Sequence, residues 1–338
     1  MWAKHACFWR RIMAIFRMIR YMRRCLLFPI VIVIFKGVHS QENPTMETET
    51  LSLAEQLGYS KEAKLLIVHA DDIGLSHSVN EASIQAFQYG IVRSGSIMVP
   101  CPWFSEIADY AKQYPEMDLG IHLTLTSEWK LYRWGSVSPT FDVPTLLNDQ
   151  GFFYPSNAEV MVDVNPDEVE KELRAQIDRA LAFGIQPSHF DSHMGTLFES
   201  PDLFHIYLRL SRDYKIPVFL PREVIEQSSP ELSASLQRDG FLMIDRYMMA
   251  HSNVSADGWI EFYSDLIRNL KPGITQIIIH FGFDNEELRA ISIDHPDYGA
   301  AWRQRDFDVF TSDMIKDLIE ENDIHPITWR EIGKLLGE

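Results

Sequence analysis

Cysteine is scarce in this sequence, with three residues in 338, at positions 7, 25 and 101. If the N-terminal segment that holds Cys7 and Cys25 is removed, Cys101 has no partner for an internal disulfide. A disulfide scaffold and a cysteine-rich zinc site are therefore both excluded. Cys101 has no activating neighbour in the sequence, which favours a small buried residue over a reactive thiol.

Positive charge is also in short supply, with 31 basic residues against 48 acidic ones and a formal net charge of −17. Residues 1–40 carry eight basic residues and no acidic one, so the remaining chain is more acidic still. Such a body would repel a phosphate backbone, which argues against a nucleic-acid partner and for a neutral or cationic substrate. An alternative is that the acidic excess only keeps the protein soluble.

No apolar run is long enough to cross a bilayer comfortably, because a spanning helix needs about 20 residues. The run at residues 26–35 is short, follows Arg23 and Arg24, and precedes the small residues Val38 and Ser40. This pattern predicts a secretory signal peptide at residues 1–40, with Met22 as a possible true start. We expect export without stable membrane insertion after cleavage; an uncleaved anchor is the alternative. Residues 41–62 are predicted to be a linker with a short helix.

A glycine-rich phosphate-binding loop is absent as well, which argues against a nucleotide-binding sheet. Residues 63–338 instead alternate between apolar strands and amphipathic helices, as in a helix predicted over residues 166–183 that Gly184 ends. Further strands are predicted at residues 217–220 and 241–244 and one helix at 306–321. This β-then-α order predicts an α/β fold with parallel strands, in a single barrel rather than an open sheet.

Ionisable side chains follow several of the predicted strands. They are Asp71 and Asp72, His122, Asp191 and His193, and His280. In a parallel barrel the C-terminal strand ends open on one face, where active sites lie. We therefore expect these residues, which are far apart in sequence, to converge.

Asp72, His122 and His193 together make a set of two histidines and one carboxylate, which suits a catalytic divalent metal with open positions. The set does not separate Zn²⁺ from Mg²⁺, Mn²⁺, Fe²⁺ or Co²⁺. Each residue alone has a plain structural alternative, since single histidines often serve in cores and aspartates cap helices. On an extended backbone the side chains of Asp71 and Asp72 point apart, a poor arrangement for a glycosidase pair.

Four blocks of this sequence resemble the YdjC-like carbohydrate deacetylases, which include the chitooligosaccharide deacetylases. The blocks are His-Ala-Asp-Asp-Ile-Gly at 69–74, Gly-Ile-Val-Arg-Ser-Gly-Ser-Ile-Met at 90–98, Gly-Ile-His-Leu-Thr-Leu-Thr at 120–126 and Asp-Ser-His at 191–193. A weaker fifth block combines residues 279–282 with Arg305. The similarity extends over residues 63–333, nearly the whole chain after the signal segment.

The resemblance implies a distorted, TIM-like (β/α) barrel related to the NodB-type polysaccharide deacetylases. It also implies one divalent metal (Mg²⁺ or Zn²⁺) on Asp72, His122 and His193, with Asp71 as catalytic base. The chain departs from the family pattern at His69, which replaces an Asn, at residues 194–195, where a Gln-His is missing, and at Phe281, which replaces a Pro. These departures bear on the identity of the substrate.

The predicted reaction is hydrolysis of an N-acetyl group on an amino sugar or oligosaccharide by a metal-activated water. In this interpretation His280 donates a proton to the leaving amine and Asp191 orients a ligand imidazole. Trp103, Trp129 and Trp134 are candidates for stacking on sugar rings, and Arg305 is a further candidate for the site. Two alternatives stay open: another metallohydrolase, acting on a phosphoester or cyclic amide, and a catalytically inert glycan-binding protein.

Overall fold

The computed structural model describes residues 51–337, which form an α/β fold around a parallel sheet. The predicted signal peptide at 1–40 and the first part of the predicted linker lie outside the described residues. Within residues 51–337, no helix combines the length and apolar character that a membrane span requires.

Seven strands make up the sheet. They are β1 (Lys64–Ile73), β2 (Ser94–Ile97), β3 (Asp118–Leu123), β4 (Phe190–Ser192), β5 (Arg246–Met249), β6 (Gly273–His280) and β7 (Ile324–Pro326). The strand order is β4-β3-β2-β1-β6-β5, and every pairing is parallel. Strand β7 pairs with the first residues of β1, beside Lys64 to Leu66.

Helices connect the strands and cover the sheet. They are α1 (Leu53–Gln56), α2 (His77–Tyr89), α3 (Phe104–Gln113), α4 (Asn157–Val160), α5 (Pro166–Ala182), α6 (Pro201–Tyr214), α7 (Arg222–Ser228), α8 (Pro230–Arg238), α9 (Trp259–Arg268), α10 (Glu286–Ile291), α11 (Ala300–Phe310), α12 (Asp313–Glu321) and α13 (Trp329–Gly333). Short 3₁₀ segments occupy Thr140–Asp142, Pro144–Leu146, His193–Phe198 and Lys334–Leu336. The long helix predicted at 306–321 is two helices, α11 and α12.

The structure confirms the α/β class and the parallel sheet, but the prediction of a TIM-like barrel needs correction. The edge strands β4 and β5 are not paired with each other, and the segment between them contributes only single bridges, at Val218 and Pro221. Residues 217–220, predicted as a strand, are bounded by Pro217 and Pro221. Proline has no N–H to donate to a ladder, so continuous pairing stops there and the sheet is not a fully closed barrel.

Strand β1 is buried on both faces and divides the core. Leu66 and Val68 belong to the larger hydrophobic cluster, whereas Leu65 and Ile67 belong to a smaller one that also contains Leu53. This division follows from the two-residue alternation of side chains along a strand. Helix α1 is a short helix within the segment predicted as a linker with a short helix at 41–62, and its Leu53 is buried in the core against the sheet.

Candidate active site

The site begins where β1 ends, at two adjacent aspartates. Asp72 has a φ of 65°, and the β1–β2 register shifts between Ala70 and Ile73. Because the backbone is not extended here, the expectation that the two carboxylates point apart is wrong. Both face the same imidazole: Asp72 Oδ1 lies 3.4 Å and Asp71 Oδ2 3.9 Å from His122 Nε2.

Two histidines from neighbouring strands face Asp72, as the sequence predicts. His122 comes from β3 and His193 directly follows β4. His193 Nδ1 lies 3.3 Å from Asp72 Oδ1. The ligand-forming atoms of these three buried residues all lie within 4.8 Å of one another.

In each of these imidazoles, the second nitrogen is held by a carboxylate. His122 Nδ1 lies 2.7 Å from Asp191 Oδ1, and His193 Nε2 lies 3.1 Å from Glu128 Oε2. Such contacts fix the ring orientation and leave His122 Nε2 and His193 Nδ1 directed at Asp72. Asp191 therefore lies where the sequence analysis expected a partner of a ligand imidazole.

The three residues fit a divalent cation. Asp72 Oδ1 is buried and has no hydrogen-bond partner among residues 51–337, although two imidazole nitrogens face it. Burial opposes ionisation of Asp72, but Arg303 and the two histidines hold its pKa well below the usual range. An ionised carboxylate with an unpaired oxygen beside two imidazoles is the donor set expected of a catalytic metal site.

The charge balance of the site agrees with that fit. Burial lowers the pKa of His193, but Glu128 and Asp72 outweigh it and raise the pKa to about 9. The pKa of His122 is raised as well, because Asp191 and Asp71 outweigh burial. The carboxylates therefore attract positive charge, and a cation that binds the imidazoles would displace their protons.

Arginine reaches the site from α11, but through Arg303 rather than the predicted Arg305. Arg303 Nη2 donates to Asp72 Oδ2 at 2.6 Å, and its Nε donates to the carbonyl of Tyr298 at 2.6 Å. Two residues along a helix differ by about 200° in direction, so Arg305 faces elsewhere. Its guanidinium lies 4.6 Å from the ring of Trp259.

His280 ends β6 beside the same carboxylate, with its Nε2 3.9 Å from Asp72 Oδ2. Its backbone N–H donates to Asp306 Oδ2 at 3.0 Å, which fixes the strand end against α11. Burial lowers the pKa of His280 to about 4, with Asp72 acting in the opposite direction and Arg303 adding to the decrease. The ring is therefore neutral near pH 7.

The three candidate tryptophans differ in exposure. Trp103 is 38% exposed and lies beside the ring of His77, with the centroids 5.1 Å apart. Trp129 is 1% exposed and packs near the Arg303 guanidinium, so the prediction that it stacks on sugar is wrong for this conformation. Trp134 is also buried, and its indole N–H donates to the carbonyl of Thr126.

Two charged residues that contact the predicted ligands, Glu128 and Arg303, were missed by sequence reasoning. Glu128 lies in the irregular stretch after β3, six residues beyond His122, and no motif singles it out. Its position soon after a strand that carries a ligand was the available signal. The available signal for Arg303 was its position two residues before Arg305, the residue that the resemblance suggested.

Comparison with known proteins gives a family match over most of the chain. Residues 65–321 match the model of a family described as YdjC-like protein. A carbohydrate deacetylase of Thermus thermophilus is 31% identical over 291 residues, which cover 85% of this chain and 100% of that protein. A carbohydrate deacetylase of Brevibacillus brevis is 28% identical over 269 residues, or 79% of this chain and 99% of that protein.

A solved structure agrees with the fold. A protein of Enterococcus faecalis named for cellobiose-phosphate cleavage superimposes with a TM-score of 0.67 at 25% sequence identity. The match covers 80% of this chain and 99% of that structure. The similarity therefore includes nearly all of the described residues rather than one local motif.

Proposed function

The chain belongs to the YdjC-like protein family, and from that premise we propose that it is a carbohydrate deacetylase that removes an N-acetyl group with one divalent cation. The observation that carries the proposal is the unpaired, buried Oδ1 of Asp72 facing His122 and His193. The names of the relatives in Thermus and Brevibacillus supply the reaction class. Two imidazole ligands favour Zn²⁺ or a similar ion, and Mg²⁺ stays a candidate.

A divalent cation held by Asp72, His122 and His193 would supply Lewis-acid activation of water and of the acetyl carbonyl. Asp71 is the proposed general base, because its Oδ2 faces the same space as the ligand atoms. His280 is the proposed proton donor to the leaving amine. Since its imidazole is neutral near pH 7, this role requires that it gain a proton in the substrate complex.

Recognition of the sugar is proposed for Trp103, the exposed one of the three tryptophans. Its indole presents a face on which a sugar ring can stack, and the neighbouring His77 ring limits its movement. A neutral or cationic amino sugar suits an acidic chain, whereas nucleic acid does not.

The test combines metal analysis with acetate release from N-acetylglucosamine oligomers. We expect one divalent ion per chain and turnover that Asp71→Asn reduces at least about a hundredfold, the size of a typical general-base contribution. Asp71→Asn should keep its metal, whereas His122→Ala or His193→Ala should lose it. Unchanged metal content in both histidine variants would remove the proposed site.

The two alternative functions are separated by the same purified protein. Arg303 reaches the site, but its Nε and Nη2 already bind Tyr298 and Asp72, so among residues 51–337 only Nη1 is left unpaired, too little for a bidentate clamp on a phosphate. Hydrolysis of phosphoesters or cyclic amides in preference to N-acetylated sugars would favour another metallohydrolase. Glycan binding without any hydrolysis would favour an inert binding protein.

Export is a separate proposal, supported by the basic and apolar pattern of residues 22–40. We expect the protein recovered from outside the cytoplasm of an expressing bacterium to begin near Gln41. N-terminal sequencing of that protein gives the measurement. A chain that keeps its first 40 residues and stays with the membrane fraction would instead indicate an uncleaved anchor.

A further inference from the structure

His69 lies in the interior of β1 and contacts two carboxylates at once. Its Nε2 lies 3.1 Å from Asp71 Oδ1 and 3.0 Å from Asp191 Oδ2. The imidazole is completely buried. Its other nitrogen, Nδ1, lies 3.1 Å from the hydroxyl of Ser94.

We propose that His69 is a positioning residue for the deacetylation reaction, holding the base Asp71 in a fixed geometry relative to the ligand His122. The proposal rests on the proposed function. The observation behind it is a series of three contacts, Asp71–His69, His69–Asp191 and Asp191–His122. This series connects the proposed base to a proposed ligand imidazole.

The geometry gives His69 a specific task. Its Nε2 makes an ion-pair contact with Oδ1 of Asp71, an oxygen that has no hydrogen-bond partner among residues 51–337, and the other oxygen, Oδ2, faces His122 Nε2. A carboxylate held at one oxygen presents the other in a defined direction, which a base acting on water requires. The two oxygens of Asp191 also have different partners: Oδ1 is hydrogen-bonded to His122 and Oδ2 to His69.

The electrostatics support this geometry. Burial lowers the pKa of His69, but the nearby carboxylates of Asp191 and Asp71 outweigh it and raise the pKa to about 9. A buried imidazole that carries a proton between two carboxylates compensates part of their charge. Apart from the two carboxylates, the groups that contact the His69 ring are neutral. They are the hydroxyls of Ser94 and Ser96 and the ring edge of His189.

A second cation is the main rival explanation for this cluster. His69, His189 and Asp191 bring their ligand atoms within 4.8 Å of one another, and His189 Nε2 is buried with no hydrogen-bond partner in the part of the chain that the structure describes. Positioning is favoured because His69 Nε2 already meets two carboxylate oxygens at hydrogen-bond distance, while His189 Nε2 stays 3.8 Å from Asp191 Oδ2.

The experiment compares two amides of different reach at position 69. In His69→Gln the amide nitrogen can occupy the place of Nε2 and donate to both carboxylates. In His69→Asn, which restores the residue of the family pattern, the amide reaches only as far as Nδ1, so in this chain it can bond Ser94 but not bridge Asp71 and Asp191. Both variants keep a polar group in a polar site, and thermal unfolding shows whether each is folded.

We expect the kcat of acetate release in His69→Asn to be at least about tenfold below that of His69→Gln, as misplacement of a reacting group by about 1 Å can cost a hundredfold. The KM should change less than about threefold, and both variants should keep one metal ion per chain, because neither changes a ligand. A merely structural role would lower stability without this split between kcat and KM. The matched control is His189→Gln, which alters the neighbouring buried histidine and should keep kcat within about twofold of the unsubstituted enzyme.

The proposal is overturned if folded, metal-loaded His69→Asn turns over as fast as His69→Gln. It is also overturned if the unsubstituted protein holds two metal ions and the position-69 variants hold one, since the cluster is then a cation site. Should neither position-69 variant fold, His69 is a folding residue and the positioning role fails. Absence of deacetylation in the unsubstituted protein is a different result, which rejects the proposed function before His69 is tested.

Discussion

Arg303 and Asp72 form a buried ion pair within the candidate site, and both side chains are almost fully enclosed. Removal of one partner from such a pair leaves an uncompensated buried charge. The guanidinium also uses its planar geometry, since Nε and Nη2 donate to different acceptors. A lysine could supply the charge but could not reproduce both hydrogen bonds.

Arg303→Met is therefore expected to lower the free energy of unfolding by about 3 kcal/mol, in the range for a broken buried pair. It should also change the metal affinity, because Asp72 loses the donor that fixes its second oxygen. Arg305→Met is the matched control two positions along the same helix. The free energy of unfolding of Arg305→Met should fall by less than about 1 kcal/mol, because the interaction that the Arg305 guanidinium loses within residues 51–337 is a cation–π contact with Trp259. Denaturant unfolding measures both, and equal losses would contradict the assignment of Arg303 to the site.

At this scale the sequence indicated which types of residue meet, but not every contact. Asp72, His122 and His193 could be found because each lies at or just after a strand end, and parallel strands end on one face. Glu128 and Arg303 could not, since one lies in an irregular stretch and the other in a helix whose rotation no motif fixed. Trp129 was misplaced because an aromatic residue near a site packs inward as readily as it contacts substrate.

The two proposed ligand histidines lie on β3 and directly after β4, and the approach of these two strands depends on a glycine. A Cβ at Gly120 would lie 2.4 Å from His189 Cε1 and 2.6 Å from the His189 carbonyl oxygen. The carbonyl oxygen belongs to the backbone of His189, so a change of the His189 rotamer could not relieve that contact. The chain segments that contain Gly120 and His189 would therefore have to move apart. Gly120 thus permits the close packing that brings His122 next to Asp191.

Gly120→Ala is expected to destabilise the protein by about 1–3 kcal/mol, as overpacking of a core does, and to reduce metal binding. Gly333→Ala is a suitable control, because its nearest neighbours lie at 3.6 Å and its backbone is helical. There an alanine should be neutral or stabilise by up to about 1 kcal/mol. Thermal unfolding and elemental analysis of both variants decide the matter; full metal occupancy in Gly120→Ala would argue against this role.

Helices were easier to predict than the segments that lie between the edge strands β4 and β5 in the chain. The helix predicted at 166–183 corresponds to α5. It could be predicted because Pro166 at its start and Gly184 after its end are strong local signals. Its buried Glu172 and Gln176, which bind backbone groups of Val137 and Thr124, carried no such signal. The strands predicted at 217–220 and 241–244 depended on partners across the sheet, and local sequence does not reveal whether those partners pair.

For the whole molecule, metal binding should be linked to stability. A cation that binds only the folded chain stabilises it by about 2.7 kcal/mol at a free concentration one hundred times its Kd. Removal of the metal by a chelator should therefore lower Tm by about 4 °C for a chain of this size. Differential scanning calorimetry with and without chelator measures the shift, and added metal should restore Tm. In His122→Ala the chelator should have no effect, and a chelator shift of the same size there would indicate a different metal site.

The backbone at Asp72 limits how this site can change. A φ of 65° is tolerated by aspartate and asparagine but costs most other residues about 1–2 kcal/mol. A longer carboxylate such as glutamate would meet that penalty and would also have to fit against Arg303. Few side chains with an oxygen donor can therefore replace Asp72. His193 does not have a positive φ, so replacement of this proposed ligand leaves more choice for changing the metal preference.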